Sequence, residues 1–392
     1  MISVEKAQQL ISENSEFLKN SRMELNKSLG FVLSKDILSP INMPPFRQSA
    51  MDGYALNLNE SNTYVIIGEI KAGDGHQPIL KKGEAVRIFT GAPVPNSANS
   101  LIMQESVIAK ENTLSLQKSA KQNENIRLLG EQVKKDAVAL KKGTLLTPAA
   151  IGYLTSLGII EVEIYSKPSI AILVTGNELI EAGQNLPYGK IYESNGLMLN
   201  SALRSLGYQN VTNYKVADNY NSTVKLLDEI ISKHDVVLVS GGISVGDYDF
   251  VGKALSELEV EQVFYKVKQK PGKPFFFGKK QNKLIFALPG NPAAALSCFY
   301  IYVYPTLKRI SGDKDFELPR TIARSESNFI KKGDRAQFLK ATLNSGTVKI
   351  LEGQSSAMLH TFAYANALVY VPETASSFST GEKVDVILLP IN

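Results

Sequence analysis

The sequence predicts a multi-domain α/β plus β protein, with one three-layer α/β domain and two smaller domains built from strands. The chain has 392 residues, more than one hydrophobic core usually organises. In its second half, apolar runs without polar alternation follow one another with helical segments between them. This pattern is typical of a parallel-rich sheet covered on both faces. On either side, short β-like runs are punctuated by Gly, Pro and Asn, which favours small β domains.

The N-terminal part predicts a helical or linker domain made of residues 1–47 and 137–166. Residues 7–18 have a helical pattern that resumes at residues 21–25, and the first helix is expected to pack on the α/β domain. The adjacent Pro44 and Pro45 end regular structure and mark a domain boundary. Thr147 is a suitable N-cap for a helix that begins at Pro148 and ends before Gly158.

Two further regions are expected to be β-rich. Residues 48–136 predict an inserted β-rich domain, since apolar runs near residues 64–68, 85–90 and 101–104 are separated by turn-forming residues. Residues 137–166 would then return the chain through a linking α/β segment. Residues 312–392 show the same short runs near 367–372 and 383–389 and predict a small C-terminal β-barrel-like domain.

The α/β domain is expected at residues 167–311. Its strands are short and apolar, and its helices lie between them, as in an open parallel sheet. The predicted strands cover residues 169–175, 235–240 and 283–288, and the predicted helices cover residues 194–207, 223–232 and 293–310.

Composition excludes several kinds of site. Cys298 is the single cysteine, so neither an internal disulfide nor a cysteine cluster for zinc or iron–sulfur is available. The three histidines are scattered, so a metal would be a hard cation held by carboxylate and substrate oxygens. The N-terminus lacks the pattern of a signal peptide, and no apolar stretch reaches the roughly 18 residues of a membrane span. The protein is therefore expected in the cytoplasm, without a membrane partner.

The charge distribution favours a small anionic partner. The formal net charge is +5, and seven lysines with no acidic residue lie between Lys266 and Lys283. The other basic residues are spread along the chain without a nucleic-acid motif, so nucleic acid is not expected as a partner. A nucleotide or phosphorylated cofactor suits the lysine run, and a solvated surface is the alternative interpretation.

Glycine-containing loops follow the three predicted strands. They are Thr-Gly-Asn-Glu at residues 175–178, Ser-Gly-Gly-Ile-Ser-Val-Gly-Asp-Tyr-Asp at 240–249 and Pro-Gly-Asn-Pro at 289–292. Ligands bind outside the carboxyl ends of parallel strands, and glycine lets the backbone approach a ligand closely. Each loop alone could equally be a tight turn or a helix cap. Together they predict an α/β anion-binding enzyme with nearby carboxylates.

Five motifs occur in an order that resembles the molybdopterin molybdenumtransferase family, which includes the cofactor-synthesis domain of gephyrin. The motifs are Ser-Ala-Met-Asp-Gly-Tyr-Ala at residues 49–55, Thr-Gly-Ala-Pro-Val-Pro at 90–95, Ser-Gly-Gly-Ile-Ser-Val-Gly at 240–246, Lys-Pro-Gly-Lys-Pro at 270–274 and Leu-Pro-Gly-Asn-Pro at 288–292. The resemblance covers nearly the whole chain. It implies that the α/β domain binds pterin, and that a homodimer shares each active cleft between this domain and the β-rich domain of the other subunit.

The resemblance also implies roles for individual residues. Asp52 and Thr90 would reach the cleft from the second subunit, and Glu178, Asp218 and Asp249 would complete the catalytic set. Lys266 and Lys270 would meet phosphate or molybdate oxygens. The other residues implied in cofactor binding are Ser240, Gly241, Gly242, Ser244, Gly246, Lys273, Pro289, Gly290, Asn291, Pro292, Arg335 and Ser356.

The implied reaction takes molybdate and adenylylated molybdopterin as substrates. The phosphoanhydride is hydrolysed with Mg²⁺, AMP leaves, and molybdenum stays on the dithiolene. Glu178 and Asp249 would be the Mg²⁺ ligands, and lysines would neutralise charge on the phosphate. No protein cysteine is needed, because the sulfur ligands belong to the cofactor. A transient contact with the upstream pterin adenylyltransferase is also implied.

Two positions depart from the family pattern. Gln132 stands where the family often has a carboxylate, in Gly-Glu-Gln-Val at residues 130–133, and Asn177 replaces the Asp of Thr-Gly-Asp-Glu. Two other functions remain open. A pterin adenylyltransferase would leave the N- and C-terminal parts of the chain without a role, and a non-catalytic pterin-binding scaffold is favoured only by Gln132.

Overall fold

The computed structural model describes residues 1–242 and 250–391, and these form two compact units. The first unit comprises Met1–Ser21, Gly30–Val32 and Ile164–Asn392, and the second comprises Arg22–Leu29 and Leu33–Glu163. The finer division at residues 47, 136, 166 and 311 stays a prediction. Among the described helices, none is both long and apolar enough to cross a bilayer.

A six-stranded sheet forms the centre of the first unit. The three strands predicted here are present, at Ile170–Thr175, Val236–Ser240 and Lys283–Leu288. The sequence patterns did not predict three others, two of which are the edge strands with partly exposed, polar side chains. In order across the sheet, the strands are Val211–Val216, Ile170–Thr175, Val236–Ser240, Lys283–Leu288, Phe276–Lys280 and Glu261–Tyr265. The first four run parallel, Phe276–Lys280 runs antiparallel to them, and the edge strand Glu261–Tyr265 pairs antiparallel with Phe276–Lys280.

Side chains of the central strands point alternately into two apolar layers, which makes the domain three layers thick. Ile170 and Ile172 belong to one cluster, together with Val4, Ala7 and Ile11 of the first helix. The intervening residues of the same strand belong to the other cluster. Full burial of one such aliphatic side chain contributes about 1.5–3 kcal/mol, so continuous apolar strands need helices on both faces. The covering helices are Val4–Glu13, Asn195–Ser205, Tyr220–Lys233, Phe250–Glu257, Pro292–Cys298 and Tyr304–Ile310.

The long helix predicted at residues 293–310 is interrupted in the middle. The α-helices Pro292–Cys298 and Tyr304–Ile310 are joined by a π-helical stretch, Phe299–Val303, whose side chains are all buried. π-Helical turns inside α-helices are rare and frequently lie at functional sites. An apolar sequence pattern does not distinguish this wider turn from α-helix.

A polar network lies at the opposite end of the central sheet from its carboxyl edge. The Asp235 carboxylate accepts hydrogen bonds from the backbone N–H (2.9 Å) and hydroxyl (2.7 Å) of Ser169, and it pairs with Nζ of Lys283 at 3.2 Å. Burial alone would raise the pKa of Asp235, but these hydrogen bonds outweigh it and lower the pKa below its usual value. The network ties the starts of three neighbouring strands together.

The C-terminal part of the first unit is a closed five-stranded barrel, which confirms the predicted β-barrel-like domain. It closes because the longest strand, Ala336–Asn344, pairs with neighbours on both sides. The short strand Gln269–Lys270 also pairs with it, in parallel, through Ala336 and Gln337. The barrel strands are Arg320–Ser325, Ala336–Asn344, Thr347–Ile350, Ala367–Val371 and Lys383–Leu388, and Phe329–Ile330 pairs separately with Ser377–Phe378.

The second unit is β-rich, as the sequence predicts. In order across its sheet, the strands are Ser100–Met103, Gly53–Leu56, Glu84–Ile88, Thr63–Ile70, Thr113–Leu116 and Val107–Lys110. Its helix Pro148–Ser156 has the predicted cap, since Thr147 accepts a hydrogen bond from the N–H of Ala150 at 3.2 Å. The helical interpretation of residues 21–25 is wrong: Asn20–Glu24 is a strand whose side chains alternate between exposed and half-buried. The other short strands that the structure describes are Ile37–Leu38, Gln48–Ser49, Ile126–Arg127, Val138–Leu140, Glu161–Tyr165, Leu179–Ile180 and Ile191–Tyr192.

Candidate active site

The carboxyl ends of the central parallel strands open into a first cavity of about 530 Å³. Strands Ile170–Thr175, Val236–Ser240 and Lys283–Leu288 lie side by side in register, so the loops that follow them meet at one edge of the sheet. Of the residues predicted to bind or act on the cofactor, the lining of this cavity brings together Glu178, Asp218, Ser240, Gly241, Gly242, Gly290, Asn291 and Pro292.

Two glycines allow the loops to approach one another at the floor of the first cavity. Gly241 has φ +95°, and a Cβ there would overlap the carbonyl oxygen of Thr175. Gly242 has φ +62°, and a Cβ there would lie 2.7 Å from the Val251 side chain. Both positions combine a left-handed backbone with a close neighbour, so larger residues would be strained. The Gly-Gly pair is thus a structural requirement of the loop as well as an opening for a ligand.

Asp218 fixes the loop after the first strand. One carboxylate oxygen accepts from Oγ1 of Thr175 (2.5 Å) and the other from the N–H of Asn177 (3.0 Å). In return, Oδ1 of Asn177 accepts from the N–H of Asp218 at 3.0 Å. Both oxygens of Asp218 are therefore engaged in holding the loop, and position 177 needs an oxygen acceptor rather than a charge.

Glu178 presents a free carboxylate to the same cavity. The residue is exposed, and its carboxylate lies over Gly176, where a Cβ would come within 2.8 Å of both oxygens. Within residues 1–242 and 250–391, no hydrogen bond or ion pair engages this carboxylate. It can accept a proton, orient a water molecule or bind a cation without first breaking a contact to any of these described residues.

The sequence patterns did not single out Asn195 or Glu193, which also line the first cavity. Nδ2 of Asn195 donates to Oγ of Ser240 and to the carbonyl of Gly290, both at 2.8 Å, and so links two of the loops. Oε1 of Glu193 accepts from the N–H of Gly196 at 2.7 Å at the start of the helix Asn195–Ser205, where the side chain of the N-cap residue Ser194 makes no capping hydrogen bond. Such a helix start looks the same in sequence whichever side chain caps it.

A second cavity of about 550 Å³ lies beside the first and shares Asn291 with it. Its charged lining residues are Lys270, Lys273 and Arg335, and of the described residues that line it none is acidic. Nδ2 of Asn291 donates to Oγ of Ser356 at 3.0 Å, which connects the α/β domain to the barrel at the border of the two cavities. The predicted residues Lys270, Lys273, Pro289, Arg335 and Ser356 thus meet in one basic cavity.

The rest of the lysine run does not form a single anion-binding surface. Lys268 pairs with Asp334 (3.1 Å) and Glu373 (2.9 Å), and Lys283 pairs with Asp235. Lys266 does not line either cavity, and its ammonium lies 4.9 Å from the centre of the Tyr265 ring. Acidic residues that are distant in sequence pair with some of these lysines. The lysine run therefore binds anions less strongly than its local charge in the sequence suggests.

Asp52 and Thr90 lie together in the second unit. The backbone N–H and the hydroxyl of Thr90 both donate to Oδ1 of Asp52 at 2.7 Å. These hydrogen bonds, first the backbone one, lower the pKa of Asp52 below its usual value. Asp52 is exposed and is therefore an anionic group available to a ligand or a second molecule.

Of the two predicted metal ligands, the described residues include one. Among residues 1–242 and 250–391, no three His, Cys, Asp or Glu side chains gather so that they could hold a metal ion. Glu178 is described, whereas Asp249, the other predicted ligand, lies outside the described residues together with Ser244 and Gly246. Among the described residues, Glu178 would therefore hold a cation only together with ligands from the substrate or from water.

Comparison with known proteins assigns the chain to a family. Family models match it at residues 2–158 (MoeA N-terminal region, domain I and II), 171–309 (probable molybdopterin binding domain) and 323–389 (MoeA C-terminal region, domain IV). It is 32% identical to a molybdopterin molybdenumtransferase of Staphylococcus epidermidis, over 100% of this chain and 96% of that protein. A Staphylococcus aureus protein of the same name is 34% identical, over 99% and 95%. The chain belongs to the molybdopterin molybdenumtransferase family.

Solved structures agree with this membership in the molybdopterin molybdenumtransferase family. A crystal structure titled molybdopterin biosynthesis moeA protein, from Pyrococcus horikoshii OT3, superposes with a TM-score of 0.86 at 26% identity, covering 99% of this chain and 100% of that one. Another structure of a Pyrococcus protein with this description gives 0.82 at 29% identity, covering 99% of both chains. The predicted family and fold class are therefore confirmed.

The two departures from the molybdopterin molybdenumtransferase pattern have different surroundings. Asn177 is part of the hydrogen-bonded loop at the first cavity, and it supplies the oxygen that this loop uses. Gln132 is an exposed residue of the second unit, whose backbone N–H donates to the carbonyl of Met43 at 2.9 Å. Asn177 therefore acts within the first unit, whereas Gln132 lines neither of its two cavities.

Proposed function

We propose that this protein transfers molybdate to the dithiolene of adenylylated molybdopterin, with hydrolysis of the phosphoanhydride and release of AMP. The observation that carries this proposal is the pair of adjoining cavities that share Asn291. One cavity bears carboxylates and backbone loops, and the other bears cations. The reaction needs two adjoining sites of this kind, because an organic phosphoanhydride and a small oxyanion must lie next to each other.

The first cavity suits the pterin nucleotide. Its volume of about 530 Å³ lies within the usual range of small-molecule sites. It also occupies the position where open α/β sheets bind ligands, outside the carboxyl ends of the strands. Asn195, Ser240 and the glycine loops offer hydrogen-bonding groups around its floor.

The second cavity suits molybdate. Lys270, Lys273 and Arg335 provide three positive charges, and Ser356 provides a hydroxyl. Charge-assisted hydrogen bonds from lysine and arginine are the strong contacts to a tetrahedral oxyanion. The absence of an acidic side chain among the described lining residues favours an anion over a cation here.

The free carboxylate of Glu178 fits a magnesium ion as one ligand of several. Mg²⁺ is commonly held by one or two carboxylates together with substrate phosphate oxygens and water. When bound, the ion would neutralise charge on the phosphates during hydrolysis. Glu178, with Asp249 as the second expected ligand, would hold it, and Asp218 would keep the Glu178 loop in place through Thr175 and Asn177.

We also propose that the protein acts as a homodimer in which Asp52 and Thr90 of one subunit complete the cleft of the other. The exposed Asp52 carboxylate, held by Thr90 and anionic at neutral pH, supports this role. A transient contact with the upstream adenylyltransferase would deliver the labile substrate. The cytoplasmic location stays a prediction.

The proposal is tested by AMP release from adenylylated molybdopterin by the purified protein, with Mg²⁺, in the presence and absence of molybdate. Molybdate-dependent release of AMP is expected, and Glu178→Gln should slow it strongly without weakening molybdate binding. Ser297→Ala is a control for general damage, since Ser297 is buried and, among the described residues, its hydroxyl donates only to the carbonyl of Ala293 in its own helix. Bound pterin without AMP release would instead indicate a scaffold, and synthesis of the AMP-linked pterin from ATP would indicate an adenylyltransferase.

A further inference from the structure

Gln269 is an uncharged polar residue that is completely buried beside the second cavity. A buried amide costs free energy unless its hydrogen bonds are made. Nε2 of Gln269 donates to the carbonyls of Pro271 (3.1 Å) and Gly272 (3.3 Å), and its Oε1 accepts from the hydroxyl of Tyr302. The side chain therefore links the turn at residues 270–273 to the π-helical stretch Phe299–Val303.

The turn is pressed against the helix that carries this stretch. Gly272 has φ +85°, and a Cβ there would overlap Sγ of Cys298 and lie 2.9 Å from Nε2 of Gln269. Burial raises the pKa of the Tyr302 hydroxyl well above its usual value, so the hydroxyl stays protonated and remains a donor. The contact between turn and helix is thus uncharged and closely packed.

The backbone of Gln269 holds the third cation of the cavity. Its carbonyl accepts a hydrogen bond from Nη1 of Arg335 at 3.3 Å, and Gln269 pairs with Ala336 in the short parallel ladder. Lys270 and Lys273 lie in the turn that the Gln269 side chain fixes. One residue that does not line the cavity is therefore bonded to both chain segments that supply its positive charges.

We propose that Gln269, together with Tyr302, is a positioning residue that fixes Lys270, Lys273 and Arg335 for oxyanion binding. This inference rests on the proposed function, because it assigns molybdate to the second cavity. Exposed lysines lose side-chain freedom when they converge on one ligand. When the turn is already fixed, less conformational entropy is lost on binding. Molybdate therefore binds more tightly when the Gln269 contacts are intact.

The inference predicts a selective loss of molybdate affinity. Gln269→Met keeps an unbranched side chain of similar length but removes the hydrogen bonds of the amide, and Tyr302→Phe removes only the hydroxyl. Removing the partners that orient direct ligands typically weakens binding by about 10–100-fold in metal sites. We expect a loss of this size for Gln269→Met, a smaller loss for Tyr302→Phe, and less than the product of the two losses in the double variant.

The experiment is calorimetric titration of the full-length protein with molybdate, and separately with AMP as a probe of the first cavity. The expected result is weaker molybdate binding by Gln269→Met and Tyr302→Phe with AMP affinity retained, while Ser297→Ala binds both like the wild type. Equal molybdate affinity in all variants, or parallel losses for molybdate and AMP, would overturn the positioning role. If Gln269→Met does not fold, Tyr302→Phe alone decides by the same criterion.

The two proposals fail in different ways. A wild-type protein that binds no molybdate removes the proposed function and the positioning role with it. A wild-type protein that binds molybdate, with unchanged binding by the variants, removes only the role of Gln269. In the second case the turn would be held by its packing against Cys298 and not by the buried amide.

Discussion

Gly272→Ala tests how closely the cation-bearing turn is packed against the helix beneath it. The backbone at Gly272 has φ +85°, and an added Cβ would overlap Sγ of Cys298 and approach Nε2 of Gln269. Gly346 provides a matched control in the same compact unit, because it also has φ +85° but an added Cβ meets nothing within 4 Å. The two substitutions share the backbone strain and differ in crowding.

The size of the effect follows from this comparison. A left-handed backbone costs a residue with a Cβ about 1–2 kcal/mol, and the loss of glycine's freedom in the unfolded chain returns part of it. Both contributions apply equally to Gly346→Ala and cancel in the difference. Overpacking typically adds about 1–3 kcal/mol. Gly272→Ala should therefore lower the free energy of unfolding by about 1–3 kcal/mol more than Gly346→Ala.

Urea denaturation followed by circular dichroism measures this difference, and the chain has no tryptophan to follow instead. Cys298→Ala in the Gly272→Ala background should recover part of the loss, because it removes the atom that the new Cβ would overlap. Molybdate affinity should fall with Gly272→Ala and not with Gly346→Ala. Equal destabilisation by the two glycine substitutions, with no recovery from Cys298→Ala, would refute the argument that the turn rests tightly on the helix.

Three other predictions concern groups around the cavities and the sheet. Asn177→Asp keeps the oxygen that accepts from the N–H of Asp218, so the rate of AMP release should stay within about twofold of wild type. Asn177→Ala loses this hydrogen bond and should lower the rate of AMP release about tenfold. Asp235→Asn should lower the free energy of unfolding at pH 7. Because the folded-state pKa of Asp235 is lowered, the difference in unfolding free energy between wild type and variant should shrink as the pH falls below about 4 and disappear below the folded-state pKa. Denaturation measured as a function of pH checks this. Lys340→Met should reduce stability by about 1–3 kcal/mol and weaken molybdate binding, because the buried ammonium donates to carbonyls of the 353–358 loop that carries Ser356; unchanged thermal denaturation would contradict this role.

The central sheet could be predicted because its strands are strongly apolar. Residues 170–175, 236–240 and 284–288 are buried on both faces, so each forms a largely apolar run. The edge strands Val211–Val216 and Glu261–Tyr265 have polar, partly exposed side chains and resemble loops in sequence. The π-helical stretch Phe299–Val303 could not be predicted either, because an apolar pattern shows that residues are buried but not which backbone hydrogen bonds they make.

The candidate site was predictable where glycines and motif order mark it, and less so where a side chain acts through tertiary contacts. Glu178, Gly241 and Asn291 were predictable from the sequence, and they line the first cavity. Gln269 was not, because a glutamine next to the Lys-Pro-Gly-Lys motif gives no sign of burial. The prediction that the whole lysine run binds an anion failed in part for a similar reason. The acidic residues that pair with Lys268 are about 70 and 100 residues away in the sequence.

The short ladder between Gln269–Lys270 and Ala336–Gln337 joins the cation-bearing turn to the barrel on one side of the basic cavity. The hydrogen bond from Arg335 to the Gln269 carbonyl is a second connection on that side. On the other side, Ser356 is joined to the α/β domain by hydrogen bonds from Asn291 and from the N–H of Ala294 (3.2 Å). The basic cavity is therefore a seam between two domains that is fastened on both sides. Its three positive charges are contributed by both domains, so they converge only where the barrel is docked on the α/β domain.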